Sequence, residues 1–177
     1  MLFTKSHNFP DYELIDTGNG ERLERWGTVR LRRPDPQIIW DRHLGDAEWN
    51  NIDAQFVGGE EAKSRWTIKK PIPEPWIIKY DSVQLKAQLT NFKHTGIFPE
   101  QSDNWQWMVE RLKIKHQKSK VLNLFAYTGA ATMVLAKAGC FVTHVASSRP
   151  ALAWAAENQK LNNLPEDSIR WMLDDAV

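Results

Sequence analysis

From Val121 onward, short continuous apolar runs alternate with stretches whose apolar residues recur every three or four positions. Val121–Phe125, Phe141–Val145 and Ile169–Leu173 fit buried strands, and Ala130–Ala138 and Pro150–Leu161 fit the helices between them. Gly139 suits a helix end and Pro150 a first helical turn. The order is β-α-β-α-β, and right-handed crossovers turn that order into a parallel sheet with helices packed on it.

Upstream the pattern is shorter-ranged. Tyr12–Asp16 and Val29–Arg32 mix apolar and polar residues at strand spacing around the turn cluster Thr17-Gly18-Asn19-Gly20, which predicts a hairpin. Pro34 and Pro36 stop that ladder, because proline lacks the donor that a central strand needs. Asp46–Asn50 predicts a short helix and Gly58-Gly59 a turn. Trp66–Lys69, Trp76–Tyr80 and Val83–Ala87 predict further strands, separated by Pro71, Pro73 and Pro75. Trp105, Met108, Val109 and Leu112 fall at helical spacing, so a helix is expected from Asp103 to Lys113 with Ser102 or Asp103 as its cap. The expected organisation is a small α+β module over 1–90, a connecting motif and helix over 91–120, and an α/β segment over 121–177.

Composition narrows the classes. With 42% hydrophobic residues, 25% charged residues and a net charge of +1, no global field draws the chain to a polyanion or a membrane. The run Arg111–Lys120 (RLKIKHQKSK) holds five positive charges and no acid; it reads as a solvated helix end, with a phosphate-contacting patch as the sharper alternative. The nine tryptophans are scattered and read mainly as packing. The single cysteine, Cys140, excludes an internal disulfide and a cysteine-rich zinc site, and it reads as a small buried hydrophobe. His7, His43, His94, His116 and His144 lack metal-ligand spacing, so no metal is expected. The start of the chain lacks a signal-peptide pattern and no apolar stretch is long enough for a bilayer, so no membrane and a cytoplasmic location are expected.

In open parallel sheets, ligands bind beyond the carboxyl ends of the strands. The turn after the first strand, Ala126-Tyr127-Thr128-Gly129, has one glycine. It matches neither G-x-G-x-x-G nor a P-loop, which disfavours a nicotinamide oxidoreductase and favours a ligand without a pyrophosphate.

VLNLFAYTGAAT, THVASSRPALAWAAENQKLNNL and IRWMLDDA together resemble the nucleotide-binding half of the class I S-adenosylmethionine-dependent methyltransferases. Within them, the segments YELIDTGNGERLERWG, RPDPQIIW and FKHTGIFPEQ resemble the branch related to bacterial 23S ribosomal RNA cytosine-C5 methyltransferases. The resemblance implies an incomplete Rossmann-like sheet preceded by the α+β module, S-adenosylmethionine as cofactor and RNA as partner. It implies that Asn123 and the backbone of Phe125, Ala126, Tyr127, Thr128 and Gly129 underlie the methionine part of the cofactor. Asp174, with Asp175 beside it, would meet the adenine amino group, and Phe98 and Gln101 of GIFPEQ would close over the cofactor.

Two departures qualify this. Ala146 stands where the family places an acid for the ribose hydroxyls, leaving Ser147 or Ser148 as weaker neutral substitutes. The family's Asp-Pro-Pro motif is absent, since Pro34-Asp35-Pro36 lies in the α+β module, and no catalytic residue is assigned. An incomplete sheet also implies an open edge and self-association. The alternative function is a non-catalytic RNA-binding or interaction protein of the same fold, holding RNA through Arg22, Arg25, Arg30, Arg32, Arg33 and the Arg111–Lys120 run.

Overall fold

The computed structural model describes residues 9–59, 62–113 and 119–176. They form two compact units. One contains Pro10–Ile78 and Ala87–Thr95; the other contains Phe9, Lys79–Lys86 and the chain from Gly96 onward.

The first unit is built on a five-stranded sheet of β1 (Tyr12–Gly18), β2 (Glu21–Trp26), β3 (Val29–Pro34), β4 (Ala54–Gly59) and β5 (Ala62–Ile68), in that order. The expected hairpin is a three-stranded meander, because β2 lies between its two arms. Asn19 and Gly20 make the first turn with φ of 53° and 75°, the left-handed region that two-residue hairpin turns require. The sequence ERLERW hides β2 because its charges are paired across strands. Glu24 is fully buried against Arg33 of β3, which donates Nε and Nη2 to its two carboxylate oxygens at 2.6 and 2.7 Å. The turn predicted at Gly58-Gly59 is not there, since both residues belong to the end of β4 and Gly59 pairs with Ala62 of β5; residues 60 and 61 lie outside the described residues.

The short helix α1 (Asp46–Asn50) puts Trp49 into a core with Leu23 and Ile52. Asp16 organises this end, accepting hydrogen bonds from the N–H groups of His43 and Leu44 and from Trp49 Nε1. Burial pushes its carboxyl up, but these donors outweigh burial and hold it below the ordinary carboxylate range.

The chain passes between units through a hairpin of β6 (Trp76–Tyr80) and β7 (Val83–Ala87). In the second unit, α2 (Ser102–Lys113) is entered through a single 3-10 turn at Pro99–Gln101. The Ser102 hydroxyl makes no hydrogen bond, so the predicted capping role does not fall to it. Ile114–Lys118, the middle of the basic run, lies outside the described residues.

The remainder follows the predicted order closely: β8 (Lys120–Asn123), α3 (Ala130–Lys137), β9 (Phe141–Ala146), α4 (Arg149–Leu161) and β10 (Ile169–Leu173). The three strands are parallel in the order β10-β9-β8. Register puts Val121, Val142 and Ile169 in one row and Asn123, His144 and Trp171 two residues on, so both rows share a face. Val142, His144 and Ile169 are at most 4% exposed on that face, and Thr132 of α3 bonds to it.

Candidate ligand site at the carboxyl ends of the strands

The chain leaves β8 through Leu124–Gly129 under unusual backbone constraint. Phe125 and Tyr127 have φ of 52° and 53° and Gly129 has 86°. Left-handed φ is disfavoured for residues with a Cβ, so two such residues in one turn must be held by their surroundings. Ala126 N–H donates to the Val145 carbonyl at 2.9 Å and Gly129 N–H to the Ala126 carbonyl at 2.9 Å. The Thr128 hydroxyl donates to the Gly96 carbonyl, and Asn158 Nδ2 of α4 donates to the Thr128 carbonyl at 2.9 Å. The N–H groups of Tyr127 and Thr128 donate to no backbone carbonyl among the described residues.

A polar chain runs beneath the turn. Asn123 Nδ2 donates to Thr132 Oγ1 at 2.9 Å, which leaves the threonine hydrogen for His144 Nδ1 at 2.9 Å. That network assigns the His144 proton to Nε2. His144 is fully buried and packs against Trp171 in a tilted ring contact at 4.8 Å, and burial pushes its imidazole down to about 4 against a smaller opposing pull from the Tyr127 backbone.

Two hollows flank the turn and share Phe125 and Tyr127. One, of 330 Å³, is lined by Phe98, Gln101, Asn123, Phe125, Ala126, Tyr127 and Thr128 among others. The other, of 200 Å³, lies between Phe125, Tyr127, Ala146, Ser147, Asp174 and Asp175. Ten of the predicted site residues therefore gather here. Gly129 lines neither hollow. It is the residue before α3, and a Cβ there would meet Ala155 Cβ at 3.1 Å. Its glycine character answers to positive φ and close helix packing.

Ala146 is buried at the floor of the smaller hollow. Ser148 Oγ accepts from the Ala151 N–H as the cap of α4, leaving Ser147 as the uncommitted hydroxyl beside Ala146. Asp174 Oδ1 accepts from the Asp175 N–H at 2.9 Å. A further hollow of 420 Å³ lies at the amino ends of the strands, near Tyr80, Trp105, Lys137 and Cys140. Cys140 is 5% exposed there and burial pushes its thiol up, as a small buried hydrophobe requires. Sequence reasoning missed Thr132, His144 and Asn158, whose roles depend on tertiary apposition. The only local signal was two asparagines one helical turn apart, Asn158 in the last turn of α4 and Asn162 at its C-cap, both of which the structure buries.

The structure of a SAM-dependent methyltransferase from Agrobacterium tumefaciens matches 95% of this chain with a TM-score of 0.88 and 41% sequence identity. The chain is a relative of the class I S-adenosylmethionine-dependent methyltransferases. The methyltransferase relationship extends to the ribosomal RNA large subunit methyltransferase K/L of Shewanella oneidensis, 37% identical over 101 residues, or 51% of this chain. It also reaches the ribosomal RNA large subunit methyltransferase I of Shewanella frigidimarina, 32% identical over 98 residues, or 55% of this chain. The chain spans 54% of the Agrobacterium protein and 14% and 24% of the two Shewanella proteins. No protein-family model matches it.

The arginines offered by the sequence as an RNA surface are committed elsewhere. Arg22 pairs with Asp35, Arg25 with Glu13, Arg30 with Glu48, Arg32 with Glu21 and Arg33 with Glu24. An arginine already paired with a carboxylate of its own unit releases few counterions from a phosphate backbone. Among the described residues no helix is long and apolar enough to cross a membrane.

Proposed function

We propose that the second unit is the S-adenosylmethionine-binding part of an RNA methyltransferase of the ribosomal RNA type, acting in the cytoplasm. The observation that carries this reading is the constrained turn Phe125–Gly129, which separates two hollows and leaves the Tyr127 and Thr128 amides without backbone acceptors among the described residues. Those amides suit the methionine carboxylate, and the Asn123 side chain, lining the same hollow, suits its ammonium. When bound, the cofactor supplies an electrophilic methyl group on a sulfonium.

The chain's own residues bind and orient. Phe98 and Gln101 border the larger hollow and would shield the methionine end of the cofactor from water. Asp174, with Asp175 beside it, borders the smaller one and would accept from the adenine amino group, and Ser147 would be the partner for the ribose. Alignment of the methyl carbon with its nucleophile is the main service such a site performs. No residue of this chain is assigned to activate the RNA base.

The fit is incomplete at the ribose. Ala146 provides no charged acceptor, and losing one costs about 1.5–3 kcal/mol, or roughly ten- to a hundredfold in affinity. That observation favours a second reading, a non-catalytic interaction protein on the same fold. Calorimetry with S-adenosylmethionine, on the 177-residue chain and on Ala146→Asp, separates the two. Binding by the original chain, strengthened at least about tenfold in the variant, supports the cofactor reading; silence from both rejects it.

A further inference from the structure

The carboxamide of Asn123 can turn either of its ends toward the larger hollow, and the two differ in sign. The oxygen accepts from a cation, whereas the amino end repels one. Asn123 is half-buried and lines that hollow. Its Nδ2 donates to Thr132 Oγ1 at 2.9 Å, which leaves Oδ1 for the hollow, without a hydrogen-bond partner among the described residues. Nothing in Asn123 itself selects this orientation. A threonine hydroxyl both donates and accepts, so Thr132 alone could hold the carboxamide by either end.

The selection is made one residue further on. Asn123 and His144 are register partners on β8 and β9, and Thr132 of α3 bonds to both. Thr132 Oγ1 lies 2.9 Å from His144 Nδ1, and both side chains are fully buried. The hydroxyl has one hydrogen to give. An unprotonated Nδ1 draws that hydrogen to itself, and the threonine oxygen is left to accept the Asn123 amino group. A proton on Nδ1 would reverse each donor in the row and turn the carboxamide round. Two features favour the unprotonated Nδ1. Nε2, across the ring, has the Tyr127 backbone beside it, which suits a proton there, although it makes no hydrogen bond of ordinary geometry. Burial also keeps the ring neutral, and its neighbours are Asn123, Trp171, Thr132 and Gly129, none of them charged.

We propose that His144 is a positioning residue of the ligand site: through Thr132 it holds the Asn123 oxygen toward the larger hollow, and this polarity selects a ligand with a cationic amine. The identity of that ligand rests on the S-adenosylmethionine reading, whereas the relay belongs to the unliganded chain. The network therefore explains how a histidine with no exposed atom contributes to specificity: it sets which end of a neighbouring amide the ligand meets.

Two measurements test this. Heteronuclear NMR of the imidazole nitrogens in the free chain, with the His144 signals assigned by their loss in His144→Asn, reads which nitrogen carries the proton at neutral pH. A proton on Nε2 and none on Nδ1 is expected; a proton on Nδ1 overturns the proposal. Calorimetry then compares S-adenosylhomocysteine with its desamino analogue, in which hydrogen replaces the amine. The original chain should prefer the amine-bearing ligand by at least about tenfold, the scale of a hydrogen bond to a charged group. His144→Leu, checked by thermal unfolding, removes the acceptor that orients Thr132 and should bring that preference toward unity. His144→Asn returns an acceptor near the Nδ1 position and should restore most of it. A purely structural histidine would weaken both ligands together and leave their ratio unchanged, and that result in a folded His144→Leu overturns the proposal. Should His144→Leu not fold, Thr132→Val supplies the same comparison of ratios. If the original chain binds neither ligand, the cofactor reading falls, and the position of the His144 proton still decides the relay.

Discussion

Asn158 of α4 donates from Nδ2 to the Thr128 carbonyl at 2.9 Å, across 30 residues of sequence. The same amide accepts the Lys86 N–H through Oδ1 at 2.8 Å, so one buried side chain joins the turn after β8 to strand β7. One helical turn on, Asn162 repeats the device, accepting from Gln84 N–H and donating to Gln84 O. The helix thereby satisfies an otherwise open stretch of β7 backbone with side-chain amides in place of a neighbouring strand.

Asn158→Ala leaves one buried donor and one buried acceptor without partners. At about 1–3 kcal/mol each, the second unit should lose roughly 2–5 kcal/mol in urea unfolding. Asn158→Asp keeps the acceptor for Lys86 but loses the donor to Thr128, so it should fall between wild type and alanine. Equal stability of all three would remove the amide from any supporting role.

The β-α-β-α-β half was legible because its apolar runs are bounded by Gly139 and Pro150, local signals that tertiary contacts reinforce. Strand β2 was not, because Glu21 and Glu24 look like surface charges until β3 brings Arg32 and Arg33 within ion-pair reach of them. Strand β4 was missed because Ala54–Gly59 carries few apolar residues and ends in two glycines. The residues around the turn after β8 could be named from the family's motifs, but its support could not. Thr132 reads as a helix residue and His144 as a strand residue, and only the packing of α3 on β9 makes them a network.

Gly96 has a φ of 94°, and a Cβ placed there would lie 2.3 Å from ring carbons of Trp154. That indole also donates Nε1–H to the Lys86 carbonyl at 3.0 Å, so the ring is not free to retreat. Gly96→Ala combines a disfavoured backbone with overpacking and should cost about 2–4 kcal/mol in thermal or urea unfolding. Gly20, also at positive φ but with open space around it, should cost about 1 kcal/mol as alanine. Equal losses at the two positions would mean that Trp154 yields.

His144 predicts a pH dependence. Its folded-state value of about 4 lies below the ordinary 6.5, so the unfolded chain binds the proton more readily. The neutral form stabilises the fold fully above pH 6.5, and that contribution drains away as pH falls toward 4. Unfolding free energy should drop by about 2–3 kcal/mol between pH 7 and pH 4.5 from this group. His144→Gln should flatten that part of the profile, whatever its effect at pH 7. A variant profile with the wild-type slope would place the titration elsewhere.

Glu24 and Arg33 predict a coupling in the first unit. Glu24 also accepts from the Tyr12 hydroxyl at 3.0 Å, and Arg33 donates Nη1–H to the Lys93 carbonyl at 2.9 Å. With both side chains under a tenth exposed, Arg33 alone is a buried charge without its counter-ion, and Glu24 alone keeps only the longer contact with Arg22 at 3.8 Å. Glu24→Met and Arg33→Met should each cost about 3–5 kcal/mol, chiefly through the partner left behind. The double variant removes both charges and should cost much less than the sum, because no ion is then stranded. A double-mutant cycle by urea unfolding reads this directly as a coupling energy of about 1–3 kcal/mol. If the two losses add, the pair is solvated and β2 is held by its apolar residues alone. If they couple, the charge pattern that conceals β2 in the sequence also fixes its register against β3.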